Sequence, residues 1–377
     1  MSVLVTDAGG DHALAAIRSL GRRGIRVVAA DSTRWTQGGF SRFCAARAVY
    51  PSPVRGVREF RKGLDRIIEA FRPEILMPMT LRTILAMAPV RREIESRVRL
   101  APLPSEEALR VALDRQATVG LAASLGIAVP RTVVLRDPAE FAVLRSVLAY
   151  PVVVQPRCPE SVTDADRIAP TGSPRYCSGP DELSDAYLSV HRRAPSPLIQ
   201  EFIPGEVCGI SALYDRGRLR ALFAHRRLRG IRRVGPAGAL RESIAPPPDM
   251  VEPARALLEA LHWHGVATVE FTRDARDGRP RLMEIDGRFW DSLPLAVASG
   301  VDFPFLLYTL ALEETCPESF EYRIGVRDRS LAGDAKHRLL LTDPVPFLAG
   351  IAGAAIRRLD ARPGPRRAPA LGGASDA

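Results

Sequence analysis

Three carboxylates lie close together in two neighbouring apolar runs of the chain. The run "GVATVEFTRDARDGRP" contains Glu270, and the run "RLMEIDGRFWDS" contains Glu284 and Asp286. Both runs read as strands joined by a turn at Asp277, which is equally distant from the two glutamates. A hairpin that folds symmetrically about this turn places Glu270 and Glu284 directly opposite each other. Asp286 then shares their face, because side chains alternate along a strand.

The other face of the predicted hairpin is apolar and therefore belongs to a hydrophobic core. It carries Val269, Phe271, Met283 and Ile285. Directly opposed carboxylates on the acidic face would lie about 5 Å apart and repel each other. Either water screens them on an exposed surface, or a hard cation binds there, since carboxylate oxygens are its natural ligands. We favour the cation, Mg²⁺ or Mn²⁺, because the chain is basic elsewhere.

Arg288 follows the acidic pair on the same stretch of chain. Its guanidinium suits a phosphate or a carboxylate, to which it can donate two parallel hydrogen bonds. The alternative is a surface arginine in an ordinary ion pair.

The net charge of the chain is +10, and almost all of its basic residues are arginines, with Lys62 and Lys336 the only lysines. No run of five like charges and no basic stripe with interleaved aromatic residues is present. We therefore expect no nucleic-acid partner. The same charge suits anionic substrates such as nucleotide phosphates.

The class of protein predicted from composition is a soluble globular enzyme or binding protein of the cytoplasm. The chain has 377 residues, which is enough for two or three domains. It has no apolar run of about 18 residues, so no membrane span is expected, and its start lacks the features of a signal peptide. Five dispersed cysteines fit a reducing compartment better than a disulfide framework.

The first hundred residues alternate predicted strands and helices. Strands are expected over 2–8, 25–31 and 74–79. One helix is expected after the first strand, ending at Gly24, and another over 57–71. This alternation predicts a parallel sheet covered on both faces. The turn "TDAGGDH" reads as a tight connection rather than a phosphate-binding loop, because it lacks the full spaced glycine pattern. A domain boundary is expected near residue 103, before the helix N-cap Ser105.

The later part of the chain is richer in strands. Strands are expected in 150–158 and 196–228, the latter with a hairpin turn at "YDRGR", and a helix over 248–263 leads into the acidic hairpin.

These pieces, in this order, resemble the ATP-grasp superfamily. "VEF" followed by "MEIDGRFWDSLPLAVASGVDFP" is similar to its metal-binding end, "YPVVVQPR" to a strand that normally carries an ATP-binding lysine, and "LIQEFIPGE" to its adenine-binding hinge. The resemblance implies an α/β and α+β architecture with an N-terminal parallel-sheet domain before a two-subdomain ATP-grasp fold. The implied divisions are 1–103, 104–190, 191–330 and a C-terminal helical extension with a disordered tail over 331–377.

The resemblance also assigns roles to individual residues. It implies that Glu270, Glu284 and Asp286 hold Mg²⁺ on ATP and that Arg288 steadies the transferring phosphoryl group. It implies further ATP contacts, which are the hinge residues Glu201, Phe202 and Ile203, the ribose neighbour Glu206, and Arg115, Gln155 and Arg157 near the phosphates.

The implied reaction joins a small carboxylate to an amine or a thiol through an acyl phosphate. Two alternatives stay open, a non-catalytic ATP-binding protein and chemistry like that of carbamoyl-phosphate synthase. A homodimer is one candidate assembly. The stretch "AHRRLRGIRRVGPAGALRESI" is assigned to the acceptor site, with Arg226 and Arg241 as the candidate substrate contacts, although a solvated basic loop is nearly as consistent with it.

Four departures from the family pattern bear on activity, and one is that the stretch "CPESVTDADRIAPTGSPRYC" has few glycines for a phosphate-covering loop. Gln155 stands where a lysine is usual, Arg115 where another lysine is common, and Asp286 where an asparagine is usual. Nearby Arg157 is a candidate substitute for the charge missing at Gln155.

Overall fold

The computed structural model describes residues 1–135, 140–163, 166–229, 240–313 and 316–329. Its first unit is a five-stranded parallel sheet with strand order β3-β2-β1-β4-β5. The strands are β1 Ser2–Val5, β2 Arg26–Asp31, β3 Cys44–Val49, β4 Ile75–Met77 and β5 Arg99–Leu100. The helices are α1 Asp11–Arg22, α2 Val57–Phe71, α3 Leu81–Met87 and α4 Arg91–Glu95, with a short 3₁₀ helix at Ala88–Val90. The predicted parallel sheet is confirmed.

The second unit is a four-stranded antiparallel sheet with order β10-β7-β11-β6 and a separate hairpin, β8-β9. The strands are β6 Thr132–Val134, β7 Val152–Gln155, β8 Glu160–Thr163, β9 Arg167–Pro170, β10 Arg175–Cys177 and β11 Leu198–Glu201. Helices α7 Glu140–Val147 and α8 Pro180–His191 pack on this sheet, whereas α5 Glu106–Leu113 and α6 Arg115–Ser124 precede it in sequence and pack in the core of the third unit. Ser105 caps α5 by accepting a hydrogen bond from the Ala108 N–H.

The third unit is a six-stranded antiparallel sheet with order β16-β15-β12-β13-β14-β17. The strands are β12 Gly205–Asp215, β13 Arg218–Arg229, β14 Leu240–Ser243, β15 Gly265–Asp274, β16 Pro280–Asp286 and β17 Arg327–Arg329. The helices are α9 Pro248–Ala260, α10 Leu293–Ser299 and α11 Phe303–Ala311. These three units confirm the mixed α/β and α+β architecture. The expected C-terminal extension over 331–377 lies outside the described residues.

The six-stranded sheet has two different faces because side chains alternate along each strand. One face packs on α9 through a buried apolar cluster that includes Ile210, Leu257 and Phe271. The other face is apolar at one end, where Leu213 and Phe223 join a core shared with β1, α1, α10 and α11. Its remaining length carries polar and charged side chains.

The N-terminal unit is joined to the third unit by a polar contact as well as by this shared core. Asp302 precedes α11 and accepts hydrogen bonds from the Ser19 hydroxyl at 2.6 and 2.7 Å. It also pairs with Arg23 at 2.8 Å and caps α11 through the Phe305 N–H at 3.3 Å. One carboxylate therefore fixes α1 against the start of α11.

Among the described residues, no single helix is long and apolar enough to cross a membrane. The pair α10 and α11 would suffice together, but the two helices meet at 92°. Both contribute buried side chains to the shared core.

We predict that Asp302→Ala destabilises the protein by about 2–4 kcal/mol. The variant loses a helix cap and leaves the buried Ser19 hydroxyl and the Arg23 guanidinium without their acceptor. Urea unfolding followed by circular dichroism measures this loss. The control is Glu69→Ala, which removes an exposed partner of Arg97 and should cost less than about 1 kcal/mol. Equal losses in the two variants would contradict the proposed link.

Candidate active site

The acidic hairpin has the predicted register at its functional end. Glu270 of β15 lies directly opposite Glu284 of β16, and Thr268 lies opposite Asp286. The three acids therefore share one face of the six-stranded sheet. This is the polar face, whereas Val269 and the other alternate residues point into the core.

One residue of the predicted hairpin core is wrong. A bulge between Glu270 and Phe271 places Phe271 opposite Leu282. Leu282 is consequently buried in the core, and Met283, which we expected there, is only partly buried. The extra residue of a bulge shifts the alternation on one strand, so the symmetric fold held only from Glu284 onward.

Two of the three acids are paired with arginines. Arg115, the first residue of α6, donates to Glu284 at 3.0 Å and to the Pro156 carbonyl at 3.0 Å. Arg288 lies 3.5 Å from Asp286. The repulsion expected between bare opposed carboxylates is therefore relieved on the β16 side. Arg115 also links the four-stranded sheet to the six-stranded sheet.

Glu270 has no such partner. No described residue donates a hydrogen bond to its carboxylate or pairs with it, although it is only partly exposed. Burial, followed by the charges of Glu284 and Asp286, raises the pKa of Glu270 to about 7, and Arg227 and Arg241 offset part of this rise. A partly buried carboxylate with two further carboxylates beside it is what a bound cation would stabilise.

The three carboxylates suit a divalent ion whose remaining coordination positions are filled by oxygens from outside the protein. In the part of the chain that the structure describes, no group of three or more His, Cys, Asp or Glu side chains is arranged to hold a metal ion by itself. Mg²⁺ commonly takes only one or two protein carboxylates together with substrate phosphates and water. Glu270, Glu284 and Asp286 on one face meet that requirement, whereas a structural metal site would need a closed ligand set.

The same face continues across the sheet with basic residues. Gly209 of β12 lies opposite Glu270, and His225 of β13 lies opposite Gly209. Two residues further along β13, Arg227 lies opposite Arg241 of β14. Because opposite residues share a face, His225, Arg227 and Arg241 lie on the face that carries the acids.

His225 is a neutral, buried member of this face. A Cβ on Gly209 would lie 2.3 Å from the His225 ring, so this glycine makes room for the imidazole. The ring nitrogen Nε2 lies 3.1 Å from the Ser292 hydroxyl. Burial, with the nearby Arg241 and Arg227, lowers the pKa of His225 to about 3.

Arg226 and Glu206 lie on the reverse face of the same sheet. Arg226 is opposite the buried Cys208 and pairs with Glu242 at 2.8 Å and with Glu206 at 3.3 Å. Of the two arginines expected at an acceptor site, the structure therefore brings only Arg241 to the acid-bearing face. Residues 230–239 of the same stretch lie outside the described residues.

The side chains of the four-stranded sheet that we expected near ATP are held by local contacts. Gln155 donates to the Gln200 side chain at 2.7 Å. Arg157 pairs with Asp114, the N-cap of α6, and this pairing raises the pKa of the guanidinium. Arg157 is thus committed to Asp114, which weakens its candidacy as the substitute for a lysine at position 155.

The hinge "LIQEFIPGE" leaves few backbone groups free. The Glu201 N–H donates to the Arg131 carbonyl and the Phe202 N–H donates to the Pro151 carbonyl. Among the described residues, none accepts from the Ile203 N–H. The Glu201 side chain is also engaged, with Arg276 at 2.7 Å.

Sequence reasoning missed two residues, His12 and Asp291, that the fold brings together. Asp291 is 55% exposed at its side chain, and its carboxylate lies 3.6 Å from Nδ1 of the buried His12 on α1. The His12 imidazole, with Arg288 and Arg241, lowers the pKa of Asp291 to about 2. The positions are 279 apart in sequence, so no local pattern could have joined them.

Comparison with known proteins gives a match to part of the chain. Residues 193–331 match the family model described as "ATP-grasp in the biosynthetic pathway with Ter operon". No curated protein sequence matches the chain. The matched segment contains the acidic hairpin, β12, β13 and the arginines of both faces.

Several solved structures share the fold at low sequence identity. The biotin carboxylase domain of 2-oxoglutarate carboxylase from Hydrogenobacter thermophilus, solved as a dimer with MgADP, ADP and bicarbonate, is 15% identical, with a TM-score of 0.65 over 85% of this chain and 74% of that one. N5-carboxyaminoimidazole synthetase from Staphylococcus aureus is 12% identical, with a TM-score of 0.63 over 86% and 80%. L-amino acid ligase from Bacillus licheniformis is 17% identical, with a TM-score of 0.58 over 83% and 74%. The chain has the ATP-grasp fold, as its sequence predicted.

We predict that Glu270→Gln stabilises the metal-free protein at pH 8 by about 1–3 kcal/mol. The folded-state pKa of Glu270 is raised to about 7, so its contribution to stability is present below the unfolded pKa of about 4.3 and is lost as pH rises toward 7. The glutamine mimics the neutral acid at every pH. Urea unfolding in EDTA at pH 5 and pH 8 measures the difference.

The matched control is Glu252→Gln, an exposed glutamate of α9. It should leave the pH dependence of unfolding as in the wild type. If Glu270→Gln gains no more stability at pH 8 than at pH 5, the carboxylate is not held in an unfavourable ionised state.

Proposed function

We propose that this protein is an ATP-dependent ligase that joins a carboxylate to an amine through an acyl phosphate, with Mg²⁺ or Mn²⁺ bound on the nucleotide. The observation that carries the proposal is the single sheet face on which Glu270, without a partner among the described residues, lies beside Glu284 and Asp286, with Arg288 close to Asp286. Clustered carboxylates suit a metal ion that also binds the phosphates of a nucleotide.

Bound Mg-ATP would supply the phosphoryl group that turns the substrate carboxylate into an acyl phosphate, from which the amine displaces phosphate. The residues of the chain would position the nucleotide and the substrate and would neutralise the charge of the phosphates. Glu270, Glu284 and Asp286 would hold the metal, and Arg288 would offset charge on the transferring group, as positioning and electrostatics do in phosphoryl transfer generally.

The remaining nucleotide contacts follow from the hinge and from α6. The Ile203 N–H would donate to the adenine, with Glu201 and Phe202 lining it. Arg115 already contacts Glu284 of the acidic hairpin. It is our candidate for the phosphate contact that the neutral Gln155 cannot make. Glu206 would reach the ribose only after leaving its ion pair with Arg226.

The second candidate function is non-catalytic ATP binding. It is favoured by one observation, namely that Gln155 is neutral and Arg157 is committed to Asp114. A thiol acceptor in place of the amine and chemistry like that of carbamoyl-phosphate synthase are further alternatives. ADP and phosphate release from Mg-ATP, in the presence of mixed amino acids and small carboxylic acids, separates catalysis from binding alone.

We further propose where the protein is located and how it assembles. All five cysteines are unpaired, which suits a reducing compartment, and we propose the cytoplasm. One of the similar structures was solved as a dimer, and we propose a homodimer, which light scattering on the purified protein measures.

We predict that Glu284→Gln abolishes turnover and most of the stabilisation by Mg-ATP without unfolding the protein. At a ligand concentration of 100 times Kd the wild type should gain about 2.7 kcal/mol. The apolar side of the hairpin stays packed in the variant, and its lost pair with Arg115 is partly exposed, so the metal-free cost should be about 0–1 kcal/mol. Melting temperatures with and without Mg-ATP measure both effects.

Glu252→Gln on α9 serves again as the control and should keep the full nucleotide-induced shift. Equal shifts in wild type and Glu284→Gln would mean that this carboxylate holds no metal.

We predict that Gln155→Lys tightens Mg-ATP binding by about threefold to tenfold. A lysine there would add an attraction that the amide lacks, and Arg157 cannot supply it while paired with Asp114. Isothermal titration calorimetry measures the change, with Gln155→Met as the uncharged control. Unchanged affinity would show that Arg115 already neutralises the phosphates.

A further inference from the structure

Arg227 and Arg241 form a like-charged pair on the acid-bearing face. They are directly opposite each other on β13 and β14. Like charges in that position repel and destabilise a sheet. The pair therefore needs a compensating interaction on its own side of the sheet.

Neither guanidinium has a hydrogen-bond acceptor or an ion-pair partner within the described part of the chain. Arg241 is nevertheless only 5% exposed. Its pKa is lowered, chiefly by burial, yet an arginine stays protonated in proteins. Arg241 thus holds a permanent charge and five donors in a largely buried position, where a bound oxyanion could accept from them.

The adjacent residue shows what a satisfied arginine looks like in this sheet. Arg226 precedes Arg227 on β13 but points to the reverse face. Both Nε and Nη2 of Arg226 donate to the Glu242 carboxylate, at 3.0 and 2.8 Å, and a further contact reaches Glu206. The described part of the chain thus provides hydrogen-bonded carboxylates for the arginine of the reverse face, whereas on the acid-bearing face the cross-strand carboxylate is Asp328, opposite Arg241 on β17.

We propose that Arg227 and Arg241 together bind an oxyanion of the substrate, a carboxylate or a phosphate distinct from the group that reacts. The inference rests on the proposed ligase function and names a feature of its substrate. Planar guanidinium groups match both kinds of oxyanion by paired hydrogen bonds. Asp291, Glu270 and Asp328, which lies opposite Arg241 on β17, act on Arg241 electrostatically, and within the described residues no hydrogen bond or ion pair takes up its donors.

The position in the sheet separates this subsite from the metal-binding acids. β12 lies between β15 and β13, and β14 lies one strand further. With neighbouring strands about 4.8 Å apart, the backbones of β13 and β14 are about 10 and 14 Å from β15. The substrate would thus carry its second anionic group on the side away from the acidic hairpin.

Isothermal titration calorimetry on the full chain tests the subsite directly. The probes are succinate, for a carboxylate, and glycerol 3-phosphate, for a phosphate ester. Both are titrated with a saturating magnesium complex of a non-hydrolysable ATP analogue already present, so that the nucleotide's own phosphates are in place. We expect the wild type to bind one probe more tightly than the other, which identifies the kind of oxyanion.

We expect Arg241→Gln and Arg227→Gln each to weaken binding of that probe at least about tenfold. The matched control is Arg226→Gln, which removes the same charge one residue away on the reverse face and should change the Kd by less than about threefold. Arg227→Gln should not lower the melting temperature of the unliganded protein, because it loses no partner and removes a like charge, whereas Arg226→Gln should lower it.

Two results would overturn the inference. One is that neither probe binds to the wild type, and the other is that Arg226→Gln weakens binding as much as the two face arginines do. If Arg241→Gln does not fold, the more exposed Arg227→Gln decides alone. Loading of the nucleotide analogue is measured first, so a failure of the proposed ATP site is seen separately from a failure of the oxyanion subsite.

Discussion

The apposition of Glu270 and Glu284 across the hairpin of β15 and β16 is the constraint around which the site is arranged. Two carboxylates at this separation cannot both stay ionised and unpaired without cost. One of them pairs with Arg115, the first residue of α6, a helix that packs in the core of the six-stranded sheet. The other, Glu270, has no partner among the described residues, and its pKa rises to about 7. A divalent ion would remove that remaining cost.

The hairpin can hold this arrangement because its other face is committed to the core. Val269 and Ile285 are buried against α9 and its neighbours, so a slip of one residue would turn the acids inward and the apolar residues out. At the end of the same sheet, Phe223 packs into the core that includes α1, α10 and α11. Packing of the N-terminal unit therefore also fixes His12 beside Asp291 and, through it, the loop that carries Arg288.

The parts of the site that the sequence predicted are those set by local spacing. Glu270 and Glu284 are separated by a short turn, and period-two alternation was enough to place them on one face. The bulge that exchanges Met283 for Leu282 leaves no mark in composition, since both are apolar. Arg226 and Arg241 show the limit of the method. Their faces depend on the register between β13 and β14, which are joined by residues 230–239, and a count of basic residues in that stretch cannot tell Arg226 from Arg227.

The sequence could not decide which arginine replaces the charge missing at Gln155, because the partners of Arg157 and Arg115 are distant in sequence. Arg157 looked available to replace a lysine at position 155 until the fold showed it paired with Asp114. Arg115 is different, because its partner Glu284 is itself a proposed metal ligand. Under the proposed function, a metal that takes up Glu284 would compete with Arg115 for the same oxygens. The released guanidinium would then lie between the two sheets with the Pro156 carbonyl as its remaining partner. Nucleotide phosphates are the anions that would next come within its reach. Arg115 would therefore pair with Glu284 when no nucleotide is bound and with the phosphates when one is.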